Sequence, residues 1–268
     1  MQDINYLKAN GVDIDQSLEI FGNIETYNET IGEFLHGMDD KINKLNNYKN
    51  AGDMNQYAIY AHSLKSDAKY FGFTALADIA YEHEMKSKSN DYYFVSNNFE
   101  KLKEEVEKNK LIVEQYMSDE PVQVIATDVQ PVTTGEVYDR QTILVVDDSN
   151  IVRNFVTRIF SDKYGVGTAE DGEEAINVLE ANKDNDNIIC ILLDLNMPKA
   201  NGFRVLDYMK ENNLFTKCPT SIISGDSTKD TIDRAFTYGI VDMLGKPFNA
   251  DDIKRVVEKN ISYKEMNN

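Results

Sequence analysis

Apolar side chains recur at two different spacings along this chain. In residues 1–118 they recur every three or four positions, which is typical of amphipathic helices. Asp15, Asp53 and Thr74 are predicted helix caps. A short helix is predicted near residues 3–9, and longer ones follow at 23–48, 53–71, 74–89 and 93–116. Long helices joined by short turns favour an all-α antiparallel four-helix bundle.

The C-terminal half has a different pattern. From about residue 141 onward, short runs of β-branched and other apolar residues alternate with amphipathic segments. Such runs are typical of strands buried in a parallel sheet. The second half is therefore predicted to be an α/β domain.

Residues 119–140 resemble neither half. They contain Pro121 and Pro131 and show no helical period. We interpret them as a linker between two domains, 1–118 and 141–268. Residues 122–125 are either a short extended piece of that linker or a strand added to one domain. A flexible linker of this length spans on the order of 26 Å, at about 5–6 Å times the square root of its length.

Polar residues follow the predicted strands. Asp147 and Asp148 end the run ILVVDD, and Asp194 ends ICILLD; Ser224 follows TSII, and Lys246 lies in LGKPF. Because the carboxyl ends of parallel strands meet at one rim, we expect these groups to converge. Carboxylates about 4 Å apart repel by roughly 4 kcal/mol per pair at an effective dielectric near 20. A hard cation with oxygen ligands, such as Mg²⁺, would relieve that repulsion, so the set suits phosphoryl chemistry.

These residues make the C-terminal half similar to the receiver domain of two-component response regulators, over about residues 141–264. The shared features are the acidic pair, the D-x-x-M-P motif that starts at Asp194, the glycine at 202, the small residue after Ser224, and Lys246-Pro247-Phe248. The resemblance implies a flavodoxin-like, doubly wound parallel sheet of five strands in the order 2-1-3-4-5, with helices on both faces.

The resemblance also implies a role for each site residue. Asp194 is the expected phospho-acceptor, Lys246 pairs with the phosphoryl oxygens, and Ser224 hydrogen-bonds one of them. The Mg²⁺ ligands are expected to be Asp147, Asp148, Asp194 and the backbone carbonyl of Asn196. One position departs from the family, because Met243 stands where an aromatic switch residue is usual. A haloacid-dehalogenase-type phosphatase is the weaker interpretation, since such enzymes carry a second Asp where this chain has Asn196.

The stretch AHSLKSDAKYFG places charged residues around a histidine. On a helix, Lys65, Ser66 and Lys69 lie within about 60° of His62. We expect a solvent-facing imidazole flanked by ammonium groups, which suits phosphoryl transfer because neutral imidazole is nucleophilic near neutral pH. His36 and His83 are expected to be structural, and Glu82 and Glu84 beside His83 to form a solvated face.

This stretch resembles the histidine-containing phosphotransfer (HPt) domain, whose pattern is H-x-x-K-G with a further glycine six residues on. Here the pattern reads His62, Lys65, Ser66 and Gly72, with serine in place of the first glycine. The resemblance implies that His62 accepts the phosphoryl group and that Lys65 supports it electrostatically.

Composition excludes several classes. A net charge of −18 counts against direct nucleic-acid binding. No apolar run approaches the length of a membrane span, and no signal peptide is evident. The two cysteines, Cys190 and Cys218, form no framework, which suits a reducing cytoplasm. No nucleotide-binding motif is present, so we expect a signalling protein and not a kinase or other enzyme.

The functional hypothesis is a phosphorelay protein that exchanges phosphoryl groups between His62 and an aspartate, and at Asp194. Expected partners are a sensor histidine kinase and other receiver or HPt proteins. The alternative is a binding adaptor without phosphoryl flow. The direction of transfer, the identity of the partners and the oligomeric state stay open.

Overall fold

A computed structural model describes residues 4–118, 137–225 and 228–267. The chain divides into two compact units, Met1–Ala126 and Thr127–Asn268. No helix in the described ranges has an apolar stretch long enough to cross a membrane.

The first unit is helical throughout its described part. Its helices are α1 (Ile4–Ala9), α2 (Ile14–Phe21), α3 (Ile24–Ala51), α4 (Met54–Tyr70), α5 (Thr74–Lys88) and α6 (Tyr92–Met117). Consecutive members of α3–α6 pack together, and α6 packs against α3, which closes a four-helix bundle. The predicted bundle is therefore confirmed.

Short polar side chains start several of these helices. Asp53 accepts a hydrogen bond from the Gln56 backbone N–H at 3.0 Å, as a helix N-cap does. Two predicted caps are wrong. Asp13, not Asp15, caps α2, and Thr74 is already the first helical residue of α5. Propensity alone does not separate a cap from a residue one or two positions away.

Aromatic side chains fill the end of the bundle where α1 and α2 join it. Phe34 stacks on Phe71 and Phe73, with ring centroids 4.8 and 5.2 Å apart. Gly72 has a φ of +76°, and a Cβ there would lie 2.4 Å from the Asp13 carbonyl oxygen. A side chain at 72 would therefore force the N-terminal helices away from α4.

His83 and Glu84 correct one expectation. Both are buried, whereas Glu82 beside them is exposed. Successive helical residues differ in direction by about 100°, so the exposure of one residue does not predict the exposure of the next. Tyr57 Oη lies 2.7 Å from His83 Nδ1. Burial lowers the pKa of His83 to about 4.

The second unit alternates strands and helices. In order it contains β1 (Thr142–Val146), α7 (Asn150–Phe160), β2 (Gly165–Ala169), α8 (Gly172–Asn182), β3 (Ile188–Leu193), α9 (Gly202–Glu211), β4 (Thr220–Ser224), α10 (Lys229–Phe236), β5 (Asp242–Gly245) and α11 (Ala250–Asn267). The five strands are parallel in the order β2-β1-β3-β4-β5. Helix α7 packs against α11, and α8 packs against α9. The predicted doubly wound sheet is confirmed.

Residues 137–140 of the predicted linker pack onto the second unit. Tyr138 is buried in the core on the side of β1–β3 that also holds residues of α8 and α9. Its backbone N–H donates to Asn182 Oδ1 at 2.8 Å, and Asn187 Nδ2 donates to its carbonyl at 2.6 Å. The remainder of the linker, including residues 122–125, lies outside the described residues, so the proposed domain boundaries stay a prediction.

The stability of the helical unit is predicted to fall with acidity because of His83. The pKa of His83 is about 4 in the folded unit and near 6.5 in the unfolded chain. The neutral ring therefore makes its full contribution to the free energy of unfolding above pH 6.5, and this contribution is lost as the pH falls toward 4. Between pH 7.5 and 5 the loss is about 2 kcal/mol. Hydrogen exchange of α4 and α5 amides, corrected for intrinsic rates, measures this unit separately.

The matched comparison uses a His62→Gln background, which removes the other buried imidazole. Adding His83→Gln is expected to flatten the pH dependence, whereas adding His36→Gln, at an exposed position, is not. An unchanged slope with His83→Gln would contradict the prediction.

Candidate functional site

The acidic residues of the second unit meet at the carboxyl end of the sheet. Asp147 follows β1 and Asp194 follows β3, which are neighbouring strands. One carboxylate oxygen from each of Asp147, Asp148 and Asp194 lies within 4.8 Å of the other two. Asp147 and Asp194 are buried, and Asp148 is half-buried. The structure thus brings the three predicted carboxylates into one cluster.

Lys246 lies between two of these carboxylates. Its Nζ is 2.6 Å from Asp147 Oδ2 and 2.5 Å from Asp194 Oδ2, and its side chain is only 3% exposed. Burial raises the pKa of Asp147; the Lys246 ammonium opposes that shift, and the neighbouring carboxylates add to it. The ammonium is therefore the counter-charge that makes the cluster tolerable without an ion.

Backbone groups orient the carboxylates. Ser149 N–H donates to Asp147 Oδ1, and Asn196 N–H donates to Asp194 Oδ1, both at 3.0 Å. Each carboxylate is thus held by the loop that follows its own strand. On the next strand along the rim, the carbonyl of the buried Ser224 accepts a hydrogen bond from the Lys246 N–H at 2.9 Å.

Gly202 lets helix α9 start directly against this site. A Cβ at 202 would lie 2.3 Å from the Asp194 carbonyl oxygen. The Gly202 N–H also donates to the Leu195 carbonyl at 3.1 Å. The loop that carries Asp194 and Asn196 is therefore short and tightly held. With three carboxylates at its rim, this all-oxygen donor set fits a hard divalent cation such as Mg²⁺.

The exposure of His62 differs from the sequence prediction. The expected solvent-facing imidazole is only 3% exposed. Glu84 of α5 covers it, with Oε1 2.8 Å from His62 Nδ1 and Oε2 2.7 Å from Lys65 Nζ. The helical wheel of α4 shows which residues share a face, and it cannot show what a neighbouring helix places over that face.

Glu84 is the site residue that the sequence analysis missed. It was expected on a solvated face, yet it contacts three cationic or imidazole groups, because Lys88 Nζ also lies 2.7 Å from its Oε1. Burial alone would raise the pKa of Glu84, but the hydrogen bond and charge of His62, and those of Lys65, hold it well below its usual range. Burial lowers the pKa of Lys65, and Glu84 opposes that shift.

The partner of each ring nitrogen defines the state of His62. A carboxylate only accepts hydrogen bonds, so the contact with Glu84 places the proton on Nδ1. Lys65 Nζ also lies 3.1 Å from Nδ1, and with the proton there it donates to Glu84 Oε2 at 2.7 Å and not to the ring. In the neutral ring Nε2 then carries the lone pair. His62 Nε2 has no hydrogen-bond partner among the described residues, and neither has the buried Ser66 Oγ.

Comparisons with known proteins agree with both halves. A family model for the response regulator receiver domain matches residues 143–258, and one for the Hpt domain matches residues 29–108. The two-component response regulator ORR3 of Oryza sativa subsp. indica is 32% identical over 120 residues, which are 44% of this chain and 89% of that protein.

Two further similarities cover the same half. FilR2 of Methanothrix harundinacea, described as a probable methanogenesis regulatory protein, is 29% identical over 133 residues, or 48% of this chain and 86% of that protein. The receiver domain of the Francisella response regulator 1452 is 26% identical with a TM-score of 0.41, and covers 47% of this chain and 99% of that structure.

Fold, site and comparisons together define a two-module phosphorelay signalling protein. The chain belongs to the response regulator receiver domain family, and it carries an Hpt domain ahead of the receiver. The predicted architecture is therefore confirmed. Both are signalling modules, and neither is a kinase domain.

The burial of His62 is testable by chemical modification. The chain has three histidines, of which His36 is exposed and His62 and His83 are buried. Diethylpyrocarbonate at pH 7 is expected to modify His36 at least about tenfold faster than the other two, because a buried ring reacts only through opening of the structure. Peptide mapping by mass spectrometry gives the three rates. Equal rates for His36 and His62 in the native protein would contradict the burial, and equal rates in urea are the control.

Proposed function

We propose that Asp194 of the receiver and His62 of the Hpt domain are the phospho-acceptors through which this chain relays phosphoryl groups. The supporting observation is the cluster of the buried Asp147 and Asp194, both in contact with Lys246, and the half-buried Asp148. Such a cluster is costly to bury, and a phosphoryl site needs each of its members.

At the receiver, an oxygen of Asp194 attacks the phosphorus in line with the N–P bond of a phosphohistidine donor. An O–P bond forms, the N–P bond breaks, and its electron pair returns to the donor imidazole. Lys246, which now contacts Asp194 Oδ2, is positioned to transfer its contact to a phosphoryl oxygen once Asp194 has become an acyl phosphate. The Ser224 hydroxyl hydrogen-bonds a second phosphoryl oxygen. Mg²⁺, held by Asp147, Asp148, Asp194 and the carbonyl of Asn196, would supply neutralisation of the remaining phosphoryl charge.

At the Hpt domain, the lone pair of His62 Nε2 attacks the phosphorus of an aspartyl phosphate. An N–P bond forms, the O–P bond breaks, and its electron pair returns to the aspartate carboxylate. The proton on Nδ1 stays in its hydrogen bond to Glu84, which stabilises the positive charge that develops on the ring. Lys65 and Lys88 pair with that carboxylate before transfer, and Lys88 keeps the pairing when Lys65 contacts the phosphoryl oxygens.

Further consequences follow for partners and location. The chain is a transfer protein and not a turnover enzyme, and its partners are a sensor histidine kinase and other receiver or Hpt proteins. A cytoplasmic location suits such partners, and the free thiols of Cys190 and Cys218 suit its reducing conditions. Met243 is half-buried against the receiver core, so the response to phosphorylation does not depend on an aromatic ring at that position.

One observation favours the alternative of a binding adaptor. A 3% exposed imidazole is not accessible to a partner's aspartyl phosphate in this conformation. Transfer therefore requires His62 to become exposed when the partner binds. The adaptor alternative predicts that it never does, and the substitutions below separate the two.

Asp194→Asn is expected to abolish Mg²⁺-dependent phosphorylation of the receiver by phosphoramidate, because an amide does not form an acyl phosphate. Phosphate incorporation is measured by mass spectrometry of the intact protein. Glu211→Gln, an exposed change on the same unit, is the control. Labelling of Asp194→Asn at the wild-type rate would reject the assignment.

His62→Gln is expected to block acceptance from a phosphorylated receiver while leaving Asp194 labelling intact. Alkali-stable, acid-labile phosphate on α4 is the readout, since that stability pattern distinguishes phosphohistidine from acyl phosphate. His36→Gln is the matched control. Absence of phosphohistidine in the wild type, under conditions that label Asp194, would favour the adaptor.

Asp148→Asn is expected to weaken Mg²⁺ binding by at least about tenfold, because it removes one of three charged oxygen ligands at little cost to the fold. Asp148 is half-buried, whereas Asp147 is fully buried. Isothermal titration with MgCl₂ measures the affinity. Equal affinities for wild type and variant would place the ion elsewhere.

A further inference from the structure

Ser66 and Ser96 are helical serines whose buried hydroxyls make no hydrogen bond among the described residues, and of the two only Ser66 lies on the helix that carries His62. In a helix a serine or threonine commonly donates to the carbonyl four residues earlier. Ser87 Oγ donates to the His83 carbonyl, and Thr30 Oγ1 to the Thr26 carbonyl, both at 2.7 Å. Ser66 Oγ is buried and makes no hydrogen bond in the part of the chain that the structure describes. Its hydroxyl is therefore available for a partner that is absent in this state.

A buried hydroxyl without a partner destabilises the fold. Alanine at 66 would avoid that cost and would also favour the helix. Residue 66 lies inside α4, twelve residues after its first residue and four before its last, so capping does not explain the serine. A partner that arrives during function would explain it.

The position of Ser66 indicates which partner. It lies four residues after His62, and side chains at that spacing are neighbours on one helix face. Both carry a buried polar atom that has no partner within the described ranges, Nε2 on His62 and Oγ on Ser66. Lys65 and Lys88 contribute two ammonium groups beside them, and Glu84 contributes one carboxylate. The surroundings of His62 thus favour an anion.

We propose that the Ser66 hydroxyl donates a hydrogen bond to the phosphoryl group carried on His62 Nε2, and that it thereby stabilises the phosphohistidine. This inference rests on the proposed role of His62. The transfer step is unchanged: the N–P bond forms at Nε2, and the aspartyl O–P bond breaks. Ser66 gains an acceptor only in the phosphorylated state, so it favours phosphohistidine over aspartyl phosphate.

The test compares Ser66→Ala and Ser66→Gly in the full chain. Phosphoramidate and Mg²⁺ phosphorylate the protein, and ³¹P NMR resolves the N–P and O–P resonances, whose areas give the phosphohistidine to aspartyl-phosphate ratio. Loss of a hydrogen bond to a charged group is expected to lower this ratio by about tenfold in both variants. Ser63→Ala is the matched control, because that hydroxyl accepts from Lys41 Nζ on the side facing α3.

A structural role for Ser66 is excluded by a second measurement. Ser66→Ala is expected to be at least as stable as the wild type in hydrogen exchange of α4, whereas a structural hydroxyl would make it less stable. An unchanged ratio in Ser66→Ala overturns the inference, and so does a change confined to Ser66→Gly, which would reflect helix flexibility. If the wild type shows aspartyl phosphate and no phosphohistidine, both the role of His62 and this inference are overturned. That outcome differs from failure of the Ser66 inference alone, in which the wild type forms phosphohistidine.

Discussion

Buried charges of one sign need a counter-charge, and both sites of this protein depend on that requirement. In the receiver, Asp147 and Asp194 are both buried at the end of adjacent strands, where the sheet forces their side chains together. Removing such groups from water costs several kcal/mol for each ion. Lys246 offsets the cost by contacting both carboxylates. The position of that lysine after β5 is therefore as much a condition of the fold as of the chemistry.

The Hpt domain meets the same requirement with the signs reversed. Here one buried carboxylate, Glu84, pairs with the buried Lys65 and the exposed Lys88 and accepts the Nδ1 proton of His62 in a hydrogen bond. One helix supplies the imidazole and the facing helix supplies the charge that orients it. The packing of α4 against α5 thus fixes the state of the ring, and a change in their spacing would change its chemistry.

The position of a side chain could be predicted from the sequence wherever it follows from the helix or strand that carries the residue. Asp147, Asp194 and Ser224 end strands, and parallel strands end at one rim, so their convergence could be predicted without coordinates. The four long helices followed from apolar spacing in the same way. Burial of His62 could not be predicted, because it depends on which residue of α5 lies over α4. That register is set by packing along the whole helix pair, and no local pattern at Glu84 reports it. The anchoring of Tyr138 by Asn182 and Asn187 escaped prediction for the same reason.

In the proposed relay, the two acceptors handle a phosphoryl group by the same exchange. At each, an existing ion pair contains a cation able to contact phosphoryl oxygens: Lys246 at Asp194, and Lys65 at His62. Binding the anion therefore replaces an existing charge contact and does not create one where none existed. The net gain in free energy from contacts to the phosphoryl group is small at either site, because each new contact is offset by one that is lost. Reversible transfer requires that the phosphorylated state be stabilised weakly and to a similar extent at donor and acceptor. Strong stabilisation at either residue would keep the phosphoryl group there.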